Sequence, residues 1–183
     1  MDEGAIPLAD LDGGIDLQKT LESGQTFLWQ RDDGRAYGAK PPDRSPWYST
    51  VLPTSRTQSN ELEVLRVRQV DDRLEWQASL ENGFDHLDRR LRLADDLDRI
   101  VNSIPSDPLL DRAFDRHRGL RLVEDPPFGC LISFICSAQM RVKRIHRMMT
   151  RLARAYGDTV SFAGETYHAF PTPELLAAAT EAD

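Results

Sequence analysis

The stretch that decides the reading is DPPFGCLISFICSAQMRVKRI, Asp125 to Ile145, because it changes character halfway. DPPFGCLISFICSAQ is apolar behind an Asp-Pro start, as a buried helix with proline at an early position requires. From Gln139 to Arg154 there follow six basic residues, Arg141, Lys143, Arg144, Arg147, Arg151 and Arg154, and no acid. At about 100° per residue, Arg144, Arg147, Arg151 and Arg154 share one narrow face with Arg141 beside them. Val142, Ile145, Met149, Leu152 and Tyr156 fall opposite. One face packs and the other is a cationic stripe. A solvated amphipathic helix is the bland reading of such a run. Two features favour a polyanion partner, DNA or RNA first. The acids that would neutralise the stripe by i, i+4 pairing are missing, and arginine suits forked contacts to phosphates or base edges.

Upstream, from about Gln25 to Gln77, short strand-like runs alternate with turn residues: QTFLWQ, PWYSTVL, ELEVLRVRQV and RLEWQASL, separated by DDGR, KPPDRSP and DDR. ELEVLRVRQV sets Leu62, Val64 and Val70 in a near-alternating pattern, the mark of a half-buried antiparallel strand. From about Asp95 the period becomes helical: ADDLDRIVNSI, DPLLDRAFDRH after Ser106-Asp107-Pro108, the stretch above, and a last helix from Thr172-Pro173-Glu174 that is expected to run into the end at Asp183. Aspartate caps are expected at the helix starts. The predicted class is α+β, an antiparallel sheet domain over 1–92 followed by a helical part over 93–183. An end inside ELLAAATEAD reads as a break rather than a domain boundary.

The 183 residues, 40% hydrophobic and 29% charged, are globular in composition. No apolar run approaches the roughly 20 residues that cross a bilayer, and MDEGAIPLADLDGG lacks the basic and apolar regions of a signal peptide. A cytoplasmic protein is expected. Cys130 and Cys136 fit neither a disulfide framework nor a zinc spacing and read as reduced core residues; no metal or cofactor is expected. Net charge is −7, with 20 arginines against three lysines, Lys19, Lys40 and Lys143. Acid excess with few lysines points to a salt-adapted cytoplasm, where counterion release contributes little to nucleic-acid binding.

Three segments, LESGQTFLW (Leu21 to Trp29), Asp125 to Ile145 above, and YHAFPT (Tyr167 to Thr172), together resemble the 8-oxoguanine DNA glycosylase family in order and separation. The resemblance implies a sheet domain followed by the first helices of a helix-hairpin-helix glycosylase core. It also implies an enzyme of base-excision repair that flips 8-oxoguanine out of double-stranded DNA, removes it and nicks the strand, since reacting atoms of a stacked base are inaccessible. Gly24 matches the family glycine whose backbone carbonyl separates 8-oxoguanine from guanine. Oxidation turns N7 from acceptor into N–H donor, and only glycine brings backbone that close. Phe27 and Trp29 are expected in the core. The SFICSAQMRVKRI segment matches the stretch that fills the gap left by the flipped base. Gln139, Met140 and Arg141 stand where eukaryotic members carry three asparagines. Gln139 keeps an amide to set against the estranged cytosine, and Arg144 matches the arginine that donates to it. Arg141, Lys143 and Arg147 are further DNA-contact candidates. Tyr167 and His168 read as structural, His146 as a surface histidine.

The family's chemistry uses a lysine amine that attacks the sugar carbon, with an aspartate nearby, both after a helix-hairpin-helix motif. None of the three lysines occupies that position, so no catalytic residue is assigned to this chain. Two readings follow: a truncated or split glycosylase, nucleoid-associated and otherwise monomeric, whose C-terminal half acts in cis or in trans; or a non-catalytic damaged-DNA-binding module. A structural fragment with an exposed apolar face is a third, weaker reading.

Overall fold

The computed structural model describes residues 1–38, 45–53 and 61–180. Among these, five strands form one antiparallel sheet in the order β1-β5-β4-β3-β2, with β1 Asp2–Pro7, β2 Gln30–Arg31, β3 Tyr48–Leu52, β4 Glu63–Val70 and β5 Arg73–Ala78. The α+β class is as expected, with differences in the strands. β1, which composition did not signal because it opens on acids and contains Gly4, pairs with β5 from Asp2↔Ala78 to Pro7↔Arg73. QTFLWQ is not a strand until Gln30: the chain turns at Gly24 (φ +91°), and the side chains that follow are engaged elsewhere, Thr26 with Asp125 and Phe27 with Ile145 and Met149. The KPPDRSP turn lies mostly outside the described residues, as does Lys40.

The alternation read in β4 also fails: Glu63, Val64, Leu65 and Val67 are all buried. β4 is central and covered twice. α2, Gly83–Leu91, lies against β1 and β5, while a hairpin of β6, Thr159–Phe162, and β7, Glu165–His168, lies against β4 and β3. The main core gathers Leu65, Val67, Leu74 and Trp76 from the sheet with Leu17 and Leu21 of α1, Leu17–Leu21, and Leu87 and Leu91 of α2.

The remaining helices are α3 Leu97–Asn102, α4 Pro108–Arg116, α5 Pro127–Cys136, α6 Val142–Tyr156 and α7 Pro173–Ala177. Asp96 caps α3 on Arg99 N at 2.8 Å, and Asp107 caps α4 on Leu109 N at 2.8 Å. α5 departs from the expectation, since Pro126 stands at its N-cap and Asp125 turns inward. α7 is capped by Thr172 as read but ends at Ala177; the chain end at Asp183 lies outside the described residues. No described helix is long and apolar enough to cross a membrane. A second, smaller core joins Phe27 to Ile145 and Met149 of α6. At about 1.5–3 kcal/mol per fully buried large apolar side chain, the sheet core carries most of the stability. The start of α6 is therefore placed by its contacts with residues 27–30.

Glu63 is buried beneath α2, with His86 Nε2 at 3.4 Å. Burial, and then the charge of Asp2, push its carboxyl up to about 7, while burial pulls His86 down. A carboxyl whose folded pKa is raised contributes stability below its unfolded pKa and loses it as pH rises through the folded value. Glu63→Gln is therefore expected to leave urea stability unchanged near pH 5 and to raise it by about 1–3 kcal/mol near pH 8. Equal effects at both pH values would show that Glu63 does not titrate in this range.

Candidate nucleic-acid interface

The basic helix docks through its apolar side onto the LESGQTFLW segment. Ile145 and Met149 pack on Phe27; Thr150 Oγ1 donates to Gln30 Oε1 at 3.0 Å; His146 Nε2 meets the Trp29 carbonyl at 3.1 Å. His146 is thus not the surface histidine expected. Its ring meets Tyr37 edge-on at 5.3 Å, and burial lowers its pKa, so a neutral imidazole donating to Trp29 O fits the site. Phe27 and Trp29 are core residues as read, but of two different cores, so this short segment staples helix to sheet.

Below the same segment, Asp125 accepts from Thr26 Oγ1 at 2.5 Å and from Arg90 Nη2 at 2.6 Å. Burial drives its carboxyl pKa upward, opposed by Arg90 and Thr26. The three residues lock α2, the Gly24 segment and the start of α5 together. Gly129 of α5 is pressed against Leu28, where an added Cβ would meet Cδ1 at 2.7 Å. Nothing in the sequence paired these residues: Asp125 before two prolines read as a helix cap.

Gly24 faces Val142, the first residue of α6, with 3.4 Å from its Cβ position to Cγ2. The fold therefore brings two candidate regions, 118 positions apart in the numbering, to one corner. Around it Gln139, Arg141, Lys143, Arg144 and Arg147 are exposed, and the stripe continues along α6 through Arg151 and Arg154. Among the described residues no acid forms an ion pair with any of the six cations. Arg141 stands at the N-cap with no side-chain cap bond, and the first turn holds no acid. Cations at a helix N-terminus oppose the macrodipole, so this turn is electrostatically unfavourable until an anion sits on it.

Gln139 lies at φ +57°, a left-handed conformation uncommon for a residue with a long side chain. It aims the exposed amide out of the turn between α5 and α6. Gln139→Gly is expected to leave stability unchanged or raise it by up to about 1 kcal/mol while weakening duplex binding. Thermal melting and a duplex titration on the same sample check the opposed signs; a fall in both would assign Gln139 to packing.

Cys136 packs in the smaller core, but Cys130 is exposed on α5, contrary to the core reading, beside exposed Leu131, Phe134 and Ile135. Tyr167 and His168 lie partly buried in β7, and Phe170 of the same motif joins the α6 core. Among the described residues no group of His, Cys, Asp and Glu is arranged to hold a metal ion.

A sequence model described as the N-terminal domain of 8-oxoguanine DNA glycosylase matches residues 8–131, and the chain belongs to that family. It is 31% identical to an N-glycosylase/DNA lyase of Saccharomyces cerevisiae over 91% of this chain and 43% of that protein. It is 32% identical to a probable N-glycosylase/DNA lyase of Methanothermobacter thermautotrophicus over 92% of this chain and 51% of that protein. The 8-oxoguanine glycosylase/lyase of Clostridium acetobutylicum, solved with double-stranded DNA containing cytosine opposite 8-oxoguanine, superposes with a TM-score of 0.72 at 25% identity, covering 92% of this chain and 52% of that one. The chain spans about half the length of the curated relatives it matches.

Proposed function

We propose that this chain is the lesion-recognition portion of an 8-oxoguanine DNA glycosylase/lyase that acts on double-stranded DNA in base-excision repair. One observation carries the reading: Gly24, at a backbone angle that favours glycine, packs on the first residue of an unneutralised basic helix. The Gly24 carbonyl reads the N7 hydrogen of 8-oxoguanine. Gln139 fills the gap in the stack, Arg144 donates to the estranged cytosine, and Arg141, Lys143 and Arg147 hold phosphates.

Removal of the base and strand cleavage belong, on this reading, to residues outside the 183. Lys19 is tied by an ion pair at 2.9 Å to Asp16, the N-cap of α1, Lys143 stands in the DNA-contact turn, and neither occupies the position of the family's nucleophile. The exposed Leu131, Phe134 and Ile135 of α5 fit a face covered by the rest of the glycosylase core, joined in cis or supplied in trans. The division into a sheet domain over 1–92 and the start of a helical domain over 93–183 belongs to the same proposal, as do a monomeric state and a place at the nucleoid of the cytoplasm. The absence of an assigned nucleophile equally supports a damaged-DNA-binding module without chemistry.

Incubation of the chain with a duplex carrying 8-oxoguanine opposite cytosine, followed by borohydride, tests the assignment. Retention of the duplex without a covalent adduct is expected. A trapped adduct would make an amine of this chain the nucleophile, with Lys143 the first to substitute. A longer protein that traps where this chain does not would exclude the module without chemistry.

A further inference from the structure

We infer that Glu22 and Gln25 are positioning residues for the Gly24 carbonyl, holding the lesion-reading turn in its binding shape before DNA arrives. The inference rests on the lesion reading of Gly24 given above.

Gln25 lies on the surface, yet its amide is fully engaged. Nε2 donates to the Arg121 carbonyl at 2.8 Å and the Thr20 carbonyl at 3.1 Å, and Oε1 accepts from Val123 N at 3.0 Å. The side chain behaves like a rung of sheet, tying the turn to residues 121–123. On the other side of Gly24, the Glu22 carboxylate takes four donors: Tyr48 Oη at 2.6 Å, Arg31 Nη1 at 3.1 Å, Tyr37 N at 2.6 Å and Gln18 Nε2 at 3.4 Å. Ser23 Oγ adds a bond to Thr20 O at 3.2 Å. Among the described residues, by contrast, no donor reaches the Gly24 carbonyl.

The pattern is asymmetric in a useful way. Glycine is the residue with the most backbone freedom, and a turn around it is ordinarily the least fixed part of a chain. Here the Glu22 and Gln25 side chains are spent on internal bonds, while the Gly24 carbonyl, the acceptor that the reading uses, is left without a described partner. Discrimination between a base with an N–H and a base with a lone pair at the same place depends on the carbonyl staying put. A turn free to rotate would bend away from guanine and lose the penalty. Preorganisation of this kind acts on the difference between two ligands rather than on their shared phosphate contacts.

The test compares the affinities of wild-type protein, Gln25→Ala and Tyr48→Phe for an 8-oxoguanine:cytosine duplex and the matching guanine:cytosine duplex, with circular dichroism to establish folding. Gln25→Ala is expected to cut the lesion preference by about tenfold while keeping affinity for the undamaged duplex, which α6 supplies. Tyr48→Phe removes one donor to Glu22 and is expected to reduce the preference by about threefold. Should Gln25→Ala fail to fold, Tyr48→Phe decides. A purely structural role would lower the melting temperature and weaken both duplexes together, which would overturn the inference. An undiminished preference in a folded variant would overturn it too. A wild-type protein with no lesion preference would instead remove the reading of Gly24 on which the inference stands.

Discussion

Arg121→Met is expected to destabilise the protein by at least about 4 kcal/mol, a large share of the roughly 5–15 kcal/mol by which domains are stable. The Arg121 side chain is buried, and its guanidinium donates to five backbone carbonyls: Gly14 at 2.9 Å, Asp12 at 2.8 Å, Arg92 at 2.7 Å, Leu93 at 3.2 Å and Asp95 at 2.9 Å. These carbonyls come from the segment before α1 and from the turn after α2, so one side chain closes both onto residues 119–123. Methionine fills comparable space but leaves the carbonyls without partners, and each buried, unsatisfied acceptor costs about 1–3 kcal/mol. Arg121→Lys keeps the charge with a single compact head and is expected to fall between wild type and Arg121→Met. Urea unfolding of the three proteins decides. A midpoint for Arg121→Met within experimental error of wild type would mean that water replaces the guanidinium without loss. Because Gln25 bonds the Arg121 carbonyl, a milder loss at this position is also expected to loosen the Gly24 turn.

The second large effect is expected at the turn itself. Gly24→Ala should reduce the preference for 8-oxoguanine over guanine at least about tenfold, equivalent to 1.4 kcal/mol. The cause is the backbone. An added Cβ meets Val142 at an ordinary 3.4 Å, so there is room for a methyl group, but φ of +91° is strained for any L side chain. The variant either bears that strain, of order 1–3 kcal/mol, or relaxes it by rotating the peptide, which moves the carbonyl off the base. Overall DNA affinity is expected to change little, because the exposed cations of α6 are untouched. Equilibrium titration against both duplexes measures the ratio. A ratio equal to wild type would show that discrimination does not pass through this carbonyl.

The basic helix and the lesion-reading turn were unequally legible in the sequence. The cationic stripe of α6 was readable because helical periodicity sorts Arg144, Arg147, Arg151 and Arg154 from Ile145 and Met149 without any tertiary knowledge, and the structure keeps that sorting. The strands β3, β4 and β5 were readable from local composition. β6 and β7 were not, since four-residue strands around Ala163-Gly164 give too short a period to register beside the helical pattern. What local pattern cannot encode is which polar side chains meet. Thr26 and Asp125, or Gln25 and the Arg121 carbonyl, are nearly a hundred positions apart, and each taken alone is an ordinary loop or cap residue. The same holds for His146, whose place on the margin of the stripe looked solvent-facing until α6 docked on Trp29. Gly24 and Gln139 were identified by resemblance. Their left-handed backbones, at +91° and +57°, are the physical signature that sequence could not supply.

The most direct test of the central claim is the ratio of affinities of this chain for two duplexes that differ only in carrying 8-oxoguanine or guanine opposite one cytosine. Tighter binding of the 8-oxoguanine duplex by about tenfold or more, with affinity for both falling as salt rises, is the predicted result. Equal affinities would contradict the claim and leave α6 as a surface for DNA without a means of finding the lesion.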